Sequence, residues 1–214
     1  MIQGNEKDQL GMALLAGASQ LEIPISERQL QLLLSYVEEL TRWNGAYNLT
    51  AVRNSKDMIF RHLLDSLAAL PYLHGDHMLD LGSGAGLPGV VLAVMEPERE
   101  FILLEANGKK TSFLRHIKAH LSLVNITVAQ ARAEDYKPAV LRTSIICRAF
   151  AALPVIAKLC RPLLIDEGRI LAMKGTYPEQ ELAQLPPDYR LKAVHRLQVP
   201  GLGEDRHLVE LEKI

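Results

Sequence analysis

The segment Asp80–Gly89, with the sequence DLGSGAGLPG, places a carboxylate and four glycines directly after an apolar run. Glycines at such a place let the backbone turn sharply and approach a ligand closely. The backbone N–H groups at the start of a following helix can bind an anionic group of that ligand. The segment therefore predicts a loop that binds a nucleotide cofactor.

Two cofactors fit this loop, and the register of the glycines distinguishes them. The G-x-G-x-x-G spacing of dinucleotide-binding loops would begin at Gly84, but the first glycine of that fingerprint should follow the strand directly. Here the strand must end at Leu81, because Gly82 already breaks the apolar run. The alternative register, Asp80-x-Gly82-x-Gly84-x-Gly86, resembles the first motif of S-adenosylmethionine-dependent methyltransferases with a Rossmann-like fold. The loop therefore favours S-adenosylmethionine over NAD.

A second acidic residue is expected to bind the ribose of this cofactor. Glu105 ends another apolar strand, Phe101–Leu104, at the distance from the glycine loop where such folds place an acid against the ribose hydroxyls. Alternatively, Glu105 only caps the helix that follows. After a third strand, Ala133 and Glu134 fall where methyltransferases of this type contact the adenine edge.

Arg148 is the first candidate for positioning a substrate. It follows a fourth apolar strand, Ser144–Cys147, and ligands of α/β folds bind at the carboxyl ends of such central strands. A guanidinium at this place can hold a phosphate or orient a substrate, or it can form an ion pair at the sheet edge. Further cations could form a basic rim over the same pocket: Arg61, His62, Lys174, Arg206 and His207.

Residues typical of other methyl-transfer chemistries are not found in the sequence. Enzymes that methylate amino groups of adenine or cytosine usually have Asn or Asp followed by Pro-Pro-aromatic after the fourth strand, where this chain has Cys147-Arg148-Ala149-Phe150. Carbon methylation of cytosine needs a cysteine nucleophile, commonly after a proline, and neither Cys147 nor Cys160 has that setting. We expect both cysteines to be core residues. The histidines show no spacing typical of metal ligands, so no metal is expected.

The elements around these residues alternate as in an α/β fold. Five apolar strands are separated by helices, and two last strands are joined by a loop that contains Pro and Gly. Such a pattern predicts a mainly parallel seven-stranded sheet with helices on both faces and an antiparallel last strand pair. The predicted strands are Met78–Leu81, Phe101–Leu104, Ile126–Ala129, Ser144–Cys147, Arg169–Met173, Tyr189–Val199 and His207–Leu211.

The chain before this sheet has helical periodicity and no strand pattern. Ser26 is a predicted N-cap of an amphipathic helix, Glu27–Trp43, and a shorter helix is predicted around residues 10–18. We therefore expect an N-terminal helical extension over residues 1–75 and a Rossmann-like methyltransferase domain over residues 76–214, in one compact unit.

The composition limits the class of protein and its partners. With 214 residues and 48% hydrophobic residues, the chain can bury one substantial core. The net charge of −1 gives no overall attraction to a polyanion, so binding of nucleic acid would need a local patch. Two cysteines without a disulfide framework, and an apolar N-terminal run too short and too acidic for an export signal, predict a cytoplasmic protein without a membrane segment.

Several segments, in their order along the chain, resemble the bacterial small-subunit ribosomal RNA methyltransferase G family, also called glucose-inhibited division protein B. The glycine loop ending in Leu87-Pro88-Gly89, combined with Arg148-Ala149-Phe150, is the most specific part of this similarity. The resemblance covers nearly the whole chain and includes Trp43-Asn44, Tyr47–Thr50, Arg61-His62, Leu64–Ser66, Asp80–Gly89, Arg148–Ala151, Lys174-Gly175 and Arg206–Val209.

This resemblance implies methyl transfer from S-adenosylmethionine to N7 of a guanine in 16S rRNA, near the decoding region. The partner would be 16S rRNA within the 30S subunit, and the enzyme a monomer. Because N7 carries a lone pair and no proton, no general base is needed, and Arg148 is expected to position the cofactor or RNA. Including the family's contacts, the expected cofactor-binding residues are Asp80, Gly82, Ser83, Gly84, Gly86, Leu87, Glu105, Ala133, Glu134 and Arg148.

Other functions remain compatible with the residues alone. A methyltransferase that acts on a small molecule or a protein would use the same cofactor loop. A non-catalytic nucleotide-binding or RNA-binding module could also retain it, because sequence shows neither turnover nor the shape of the pocket.

Overall fold

Seven β-strands form a single sheet in the computed structural model, which describes residues 4–214. The strands are β1 His77–Leu81, β2 Glu100–Glu105, β3 Ile126–Gln130, β4 Arg142–Arg148, β5 Leu164–Lys174, β6 Tyr189–Arg196 and β7 His207–Lys213. Their order in the sheet is β3-β2-β1-β4-β5-β7-β6. Strands β1 to β5 run parallel, and β7 runs antiparallel to both β5 and β6. The predicted mainly parallel sheet with an antiparallel last pair is confirmed.

Helices cover both faces of this sheet. They are α1 Gly4–Gln20, α2 Glu27–Tyr47, α3 Ser55–Met58, a π-helical segment Ile59–Leu64, α4 Asp65–Leu67, α5 Gly89–Met95, α6 Gly108–His120, α7 Leu153–Cys160 and α8 Glu179–Leu182, with short 3₁₀ turns at Leu70–Tyr72 and Arg161–Leu163. The expected N-terminal helical extension is therefore present. None of the helices between residues 4 and 214 is long and apolar enough to cross a lipid bilayer.

Side chains of β1 show how the helices are divided between the two faces. Met78 belongs to an apolar cluster with residues of α2, α5 and α6, whereas Leu79 and Leu81 belong to a second cluster with residues of α7. Neighbouring residues of a strand point to opposite faces of the sheet. The N-terminal helices therefore cover the same face as α5 and α6, and α7 covers the other.

Helix α2 is one turn longer than the sequence predicted. The predicted end at Trp43 is wrong because Asn44, a weak helix former, is buried and has its own partners in the structure. Its side-chain oxygen accepts a hydrogen bond from the N–H of Thr50 at 2.9 Å. The helix continues to Tyr47, and Asn48 ends it in the left-handed conformation with φ 49°. After the helix, Thr50, Ala51 and Val52 line the same cavity as Arg148, the last residue of β4.

The helical extension shares its core with the sheet. Leu33 and Tyr36 of α2 are fully buried in the same apolar cluster as Val90 of α5 and Phe113 of α6. The ring of Trp43 lies 5.5 Å from that of Phe113, centroid to centroid. The side chain of Trp43 therefore packs against the core. On this basis we propose that residues 4–75 and 76–214 fold as one unit, with the predicted boundary near residue 75 separating helices from strands.

A shared core predicts that damage in α2 destabilises the whole chain. Replacement Leu33→Ala removes a fully buried side chain and should lower the free energy of unfolding by about 2–5 kcal/mol. Urea unfolding should be followed by far-UV circular dichroism, which reports the whole chain, and by fluorescence of Trp43, the only tryptophan. The circular dichroism and fluorescence transitions should coincide in the wild type, and they should also coincide in Leu33→Ala.

The matched control for this experiment is Leu15→Ala, the same substitution on α1 at a side chain that is 41% exposed. It should change the free energy of unfolding much less than Leu33→Ala does. A tryptophan transition that precedes the circular dichroism transition would show that the extension unfolds separately.

Candidate active site

The order of the strands creates a crevice at the carboxyl edge of the sheet. The chain moves from β1 outward to β2 and β3, and then returns to place β4 on the other side of β1. Ligands of open α/β sheets bind where the strand order reverses in this way. The loop after β1 and the segment after β4 meet at this point. The two segments that the sequence singled out, Asp80–Gly89 and Arg148-Ala149-Phe150, are therefore neighbours.

Backbone hydrogen bonds hold the glycine loop over the end of β2. The N–H groups of Gly82 and Ser83 both donate to the carbonyl of Leu104, at 2.9 and 3.1 Å. The hydroxyl of Ser83 donates to the carbonyl of Asp80 at 2.9 Å, and the N–H of Gly86 donates to the carbonyl of Ser83 at 2.7 Å. Hydrogen bonds within the loop and to the end of β2 therefore hold its shape.

Asp80 lies beneath the loop. Its side chain is fully buried, and Oδ2 accepts a hydrogen bond from the N–H of Gly89, the first residue of α5, at 2.9 Å. Oδ1 has no hydrogen-bond partner among residues 4–214. Desolvation raises the pKa of Asp80 to about 7, although the hydrogen bond from Gly89 acts in the opposite direction. Asp80 therefore ties the loop to α5, and its charged form is unfavourable in this buried position.

Glu105 faces the loop from the end of β2. Its Oε2 accepts a hydrogen bond from the N–H of Gly84 at 2.9 Å, and its Oε1 accepts one from the N–H of Asn107 at 2.8 Å. Asn107 is the N-cap of α6, with a side chain that accepts from the N–H of Lys109 at 2.9 Å. The alternative role of Glu105, as the cap of this helix, is therefore filled by Asn107. The carboxylate is left at the loop, where it retains free lone pairs for a ligand.

The remaining predicted cofactor contacts differ in their accessibility. Ala133 is partly buried and Glu134 is exposed, and both lie in the turn after β3, next to the strand that carries Glu105. Leu87, in contrast, is only 5% exposed and packs in the core with Leu114. Contact of a ligand with Leu87 is therefore restricted to a small part of that residue.

Tyr36 supports the loop from the helical extension and was not identified from the sequence. Its ring is fully buried, and its hydroxyl donates a hydrogen bond to the carbonyl of Ala85 at 2.8 Å. Burial raises the pKa of this phenol well above its ordinary value, so it remains a neutral donor. In the sequence Tyr36 is one more member of the apolar face of α2, and no local signal distinguishes it from a core residue.

Phe150 covers the other side of the loop. A Cβ atom on Gly82 would lie 2.4 Å from Cδ2 of Phe150, so only glycine fits beneath the ring. The backbone reaches this position through Ala149, which has φ 51°. The nearby thiol of Cys147 is buried, and desolvation raises its pKa to about 12. Both Cys147 and Cys160 are buried, as predicted, and neither is a nucleophile near neutral pH.

A cleft of about 480 Å³ opens beside the loop and brings the predicted cations together. Four of the five rim candidates line it, together with Arg148. His207 does not line it; its Nδ1 atom lies 2.9 Å from the carbonyl oxygen of Gly175, a residue that does. The ionisable residues that line this cleft are Arg61, His62, Asp65, Arg148, Lys174 and Arg206.

Asp65 joins two of these arginines and was not selected as a site residue from the sequence. Its Oδ2 accepts a hydrogen bond from Nη1 of Arg148 at 2.8 Å, and its Oδ1 accepts one from Nε of Arg206 at 3.0 Å. Nη1 of Arg148 also donates to the carbonyl of Arg61 at 2.9 Å. Asp65 follows the π-helical segment Ile59–Leu64, a conformation that is frequent at functional sites.

The other cleft cations are also engaged in the structure. Nζ of Lys174 donates to Glu181 at 2.8 Å, and Nη2 of Arg61 donates to Glu204 at 2.7 Å. His62 is not a cation of the rim, because burial and the nearby charge of Arg148 lower its pKa to about 4. The predicted basic rim is therefore a network of ion pairs around a neutral histidine. No group of three or more His, Cys, Asp or Glu residues within 4–214 is arranged to hold a metal ion.

Comparison with known proteins assigns this site to a family. The model of the rRNA small subunit methyltransferase G family matches residues 29–209. This chain belongs to that family. The ribosomal RNA small subunit methyltransferase G of Stutzerimonas stutzeri strain A1501 is 50% identical to it over 202 residues, which cover 94% of each chain. The protein of the same name from Idiomarina loihiensis is 45% identical over 194 residues, which cover 91% of this chain and 94% of its own.

Solved structures of other methyltransferases share the fold. The glycopeptide N-methyltransferase MtfA with S-adenosyl-L-homocysteine has a TM-score of 0.61 at 12% identity, over 71% of this chain and 90% of its own. Fibrillarin of Aeropyrum pernix with S-adenosyl-L-methionine has a TM-score of 0.52 at 17% identity, over 69% of this chain and 72% of its own. The predicted Rossmann-like methyltransferase fold is confirmed. Membership in a methyltransferase family also confirms the choice of S-adenosylmethionine over NAD.

Gly84 provides a test of the cofactor loop. A Cβ atom on Gly84 would meet the carbonyl oxygen of Gly82 at 3.8 Å and Nζ of Lys110 at 4.0 Å, so a methyl group fits at the loop without a clash. Because Gly84 has φ 59°, Gly84→Ala should cost about 1 kcal/mol of stability through backbone strain. We expect the Kd for S-adenosylmethionine, measured by calorimetry, to rise at least about tenfold, since each tenfold corresponds to 1.4 kcal/mol.

The control variant is Gly203→Ala, at a surface glycine with φ 65° and no atom within 4 Å of the added Cβ. It introduces the same strain far from the loop and should leave the Kd unchanged. If Gly84→Ala and Gly203→Ala had the same Kd for S-adenosylmethionine, the cofactor would not bind at the glycine loop.

The raised pKa of Asp80 predicts a pH-dependent effect of Asp80→Asn on stability. The pKa in the folded state is about 7 and the unfolded value is 3.8, so between these pH values Asp80 is ionised in the unfolded chain and still protonated in the folded one, and the wild-type protein loses stability as the pH rises. Asparagine can still accept the hydrogen bond from Gly89 and carries no charge. The stability of Asp80→Asn relative to the wild type should therefore increase by roughly 2–4 kcal/mol from about pH 4 to pH 7.5.

Urea unfolding of both proteins at each pH measures this difference. Titration of His62, which has the opposite sign, is common to both proteins and cancels. A difference that stays constant with pH would show that Asp80 keeps an ordinary pKa.

Proposed function

We propose that this protein transfers a methyl group from S-adenosylmethionine to N7 of a guanine in 16S rRNA near the decoding region. The observation that carries the proposal is the position of Arg148. It ends β4 where the strand order reverses, lines the cleft together with Arg61 and Arg206, and precedes Phe150, whose ring lies against Gly82 of the cofactor loop. The names of the related proteins support ribosomal RNA of the small subunit as the substrate.

The residues around the loop fit this cofactor. A ligand can approach the backbone at Gly84, where an added Cβ would meet no protein atom closer than 3.8 Å, and Glu105 offers carboxylate oxygens beside it for the ribose hydroxyls. The turn with Ala133 and Glu134 would border the adenine. A cationic ligand above the loop would favour the charged form of Asp80, which burial alone disfavours. When bound, S-adenosylmethionine supplies a methyl group activated by a sulfonium centre.

The cleft has the groups that this reaction needs. Guanine N7 attacks through a lone pair, so no residue has to remove a proton, and the side chains can act by positioning alone. Arg148 suits that role because Asp65 and the carbonyl of Arg61 fix its Nη1 atom. Its Nε and Nη2 atoms have no partner among residues 4–214 and remain available to the guanine or to a phosphate.

The same features favour an assembled particle as the substrate. The chain has a net charge of −1, and the arginines and lysine of its cleft are paired with acids. Long-range attraction to free RNA is therefore weak. We propose that the monomeric enzyme acts in the cytoplasm on the 30S subunit, whose folded RNA presents the guanine in an accessible loop.

Labelled S-adenosylmethionine should be incubated with the enzyme and either 30S subunits lacking the modification or protein-free 16S rRNA. Label should enter the 16S rRNA of the 30S subunits at N7 of one guanine, located by mapping the modified nucleotide. Label found only in protein or in small molecules would contradict the proposal. Equal rates on 30S subunits and on free RNA would contradict recognition of the particle.

Replacement Arg148→Ala should lower kcat/KM for 30S subunits by about 10²-fold, because the reacting atoms lose their alignment. The control is Arg190→Ala, which removes an arginine that is 63% exposed on edge strand β6. This variant should retain wild-type activity. Full activity of Arg148→Ala at limiting RNA and cofactor would exclude a positioning role for Arg148.

A further inference from the structure

Glu204 bridges two arginines at the mouth of the cleft. Its Oε1 accepts a hydrogen bond from Nη2 of Arg61 at 2.7 Å, and its Oε2 accepts one from Nη2 of Arg206 at 3.0 Å. The side chains of Arg61 and Glu204 are 44% and 42% exposed, so both reach solvent. Hydrogen bonds from the two arginines lower the pKa of Glu204, which therefore carries a full negative charge at neutral pH.

Arg206 and the backbone of Arg61 are held by contacts that do not involve Glu204. Arg206 is 21% exposed, its Nε donates to Asp65 at 3.0 Å, and its Nη1 donates to the carbonyl of Asp205 at 2.9 Å. Arg61 lies on the π-helical segment, where its carbonyl accepts the hydrogen bond from Arg148. The guanidinium of Arg206 and the backbone of Arg61 therefore stay in place when the carboxylate leaves, whereas the Arg61 guanidinium, whose only hydrogen-bond partner among residues 4–214 is Glu204, becomes free to bind another anion.

Glu204 itself lies at the tip of the loop that connects β6 to β7. Leu197, Val199 and Leu202 anchor the base of this loop in the core. Residues 203–205 are exposed, and Gly203 has no atom within 4 Å of the place where a Cβ would be. Exposed ion pairs contribute little to stability. The tip can thus move the carboxylate away from the arginines at a small energetic cost.

We propose that the Arg61–Arg206 pair is a binding site for a phosphodiester of the substrate RNA, and that Glu204 occupies this site until the RNA displaces it. A phosphodiester carries one negative charge and two free oxygens, like the carboxylate that bridges the pair in this structure. Guanidinium groups bind such pairs of oxygens in a planar, directed manner. The proposal rests on RNA being the substrate.

The site would also help to select the particle over free RNA. A phosphate must meet both arginines at once to replace the carboxylate, because a single contact would leave one guanidinium with Glu204. An RNA backbone that is held in one shape within the folded particle satisfies this condition more easily than the flexible backbone of free RNA. The phosphate would then lie at the mouth of the cleft that contains Arg148.

The test compares Glu204→Gln with Asp205→Asn in binding to 30S subunits at one fixed salt concentration. Asp205 is the neighbouring acid of the same loop tip, and it pairs with Arg196 rather than with the two arginines. Both variants raise the net charge by one, so they share any long-range effect. We expect Glu204→Gln to lower the Kd by about two- to fivefold more than Asp205→Asn does.

A second pair of variants tests whether this gain in affinity for 30S subunits depends on the two arginines. In an Arg61→Ala background, Glu204→Gln should change the Kd no more than Asp205→Asn does, because the site has lost one of its two arginines. Equal melting temperatures of Glu204→Gln, Asp205→Asn and the wild type check that the exposed substitutions leave the fold intact.

The outcomes separate this inference from the proposed function. If the wild type binds and methylates 30S subunits, and Glu204→Gln behaves like Asp205→Asn, the phosphate site is excluded while the methyltransferase function stands. A gain that persists in the Arg61→Ala background also excludes it. If the wild type neither binds nor methylates ribosomal RNA, both proposals fail together.

Discussion

The buried carboxylate of Asp65 holds together the three parts of the chain that build the cleft. Asp65 belongs to the helical extension, Arg148 ends β4, and Arg206 precedes β7, yet all three meet within hydrogen-bond distance. Removing one partner of a buried ion pair costs about 3–5 kcal/mol, because it leaves an uncompensated charge. The three segments are therefore held in a fixed relative position. Because one carboxylate is shared by two guanidinium groups, this cluster also carries a net positive charge that faces the cleft.

The glycine loop next to this cleft is held by groups from three directions. Asp80 binds the start of α5 from below, Glu105 reaches the loop from β2, and Tyr36 reaches it from α2. A preformed loop loses little conformational entropy when a ligand binds. The burial of Asp80, which disfavours its charged form, is a destabilising feature kept at this site, as is common where residues serve binding rather than stability. The helical extension is thus part of the site's support.

The sequence predicted those parts of the fold that depend on local pattern. Apolar runs located the five parallel strands, because a buried strand needs a continuous apolar segment whatever its neighbours are. The edge strand β6 was predicted to reach Val199 and ends at Arg196, since it is largely exposed and has no such run. The cofactor loop was recognised for a similar reason, since the spacing of Gly82, Gly84 and Gly86 is contained in one short segment. The end of α2 was misplaced because Asn44 is weak in an isolated helix, but here its side chain is bound by residues farther along the chain.

Charge states and pairings in the site could not be read in the same way. His62 follows Arg61 and resembles a surface cation in the sequence, yet burial makes it neutral in the fold. Glu204 and Asp205 are adjacent acids, and only the path of the loop decides which one meets Arg61 and Arg206. Sequence by itself determined the order of the strands along the chain, the cofactor loop and the family. Tertiary structure alone decided which charges are buried, paired or exposed, because desolvation and Coulomb interactions depend on distances between residues far apart in the chain.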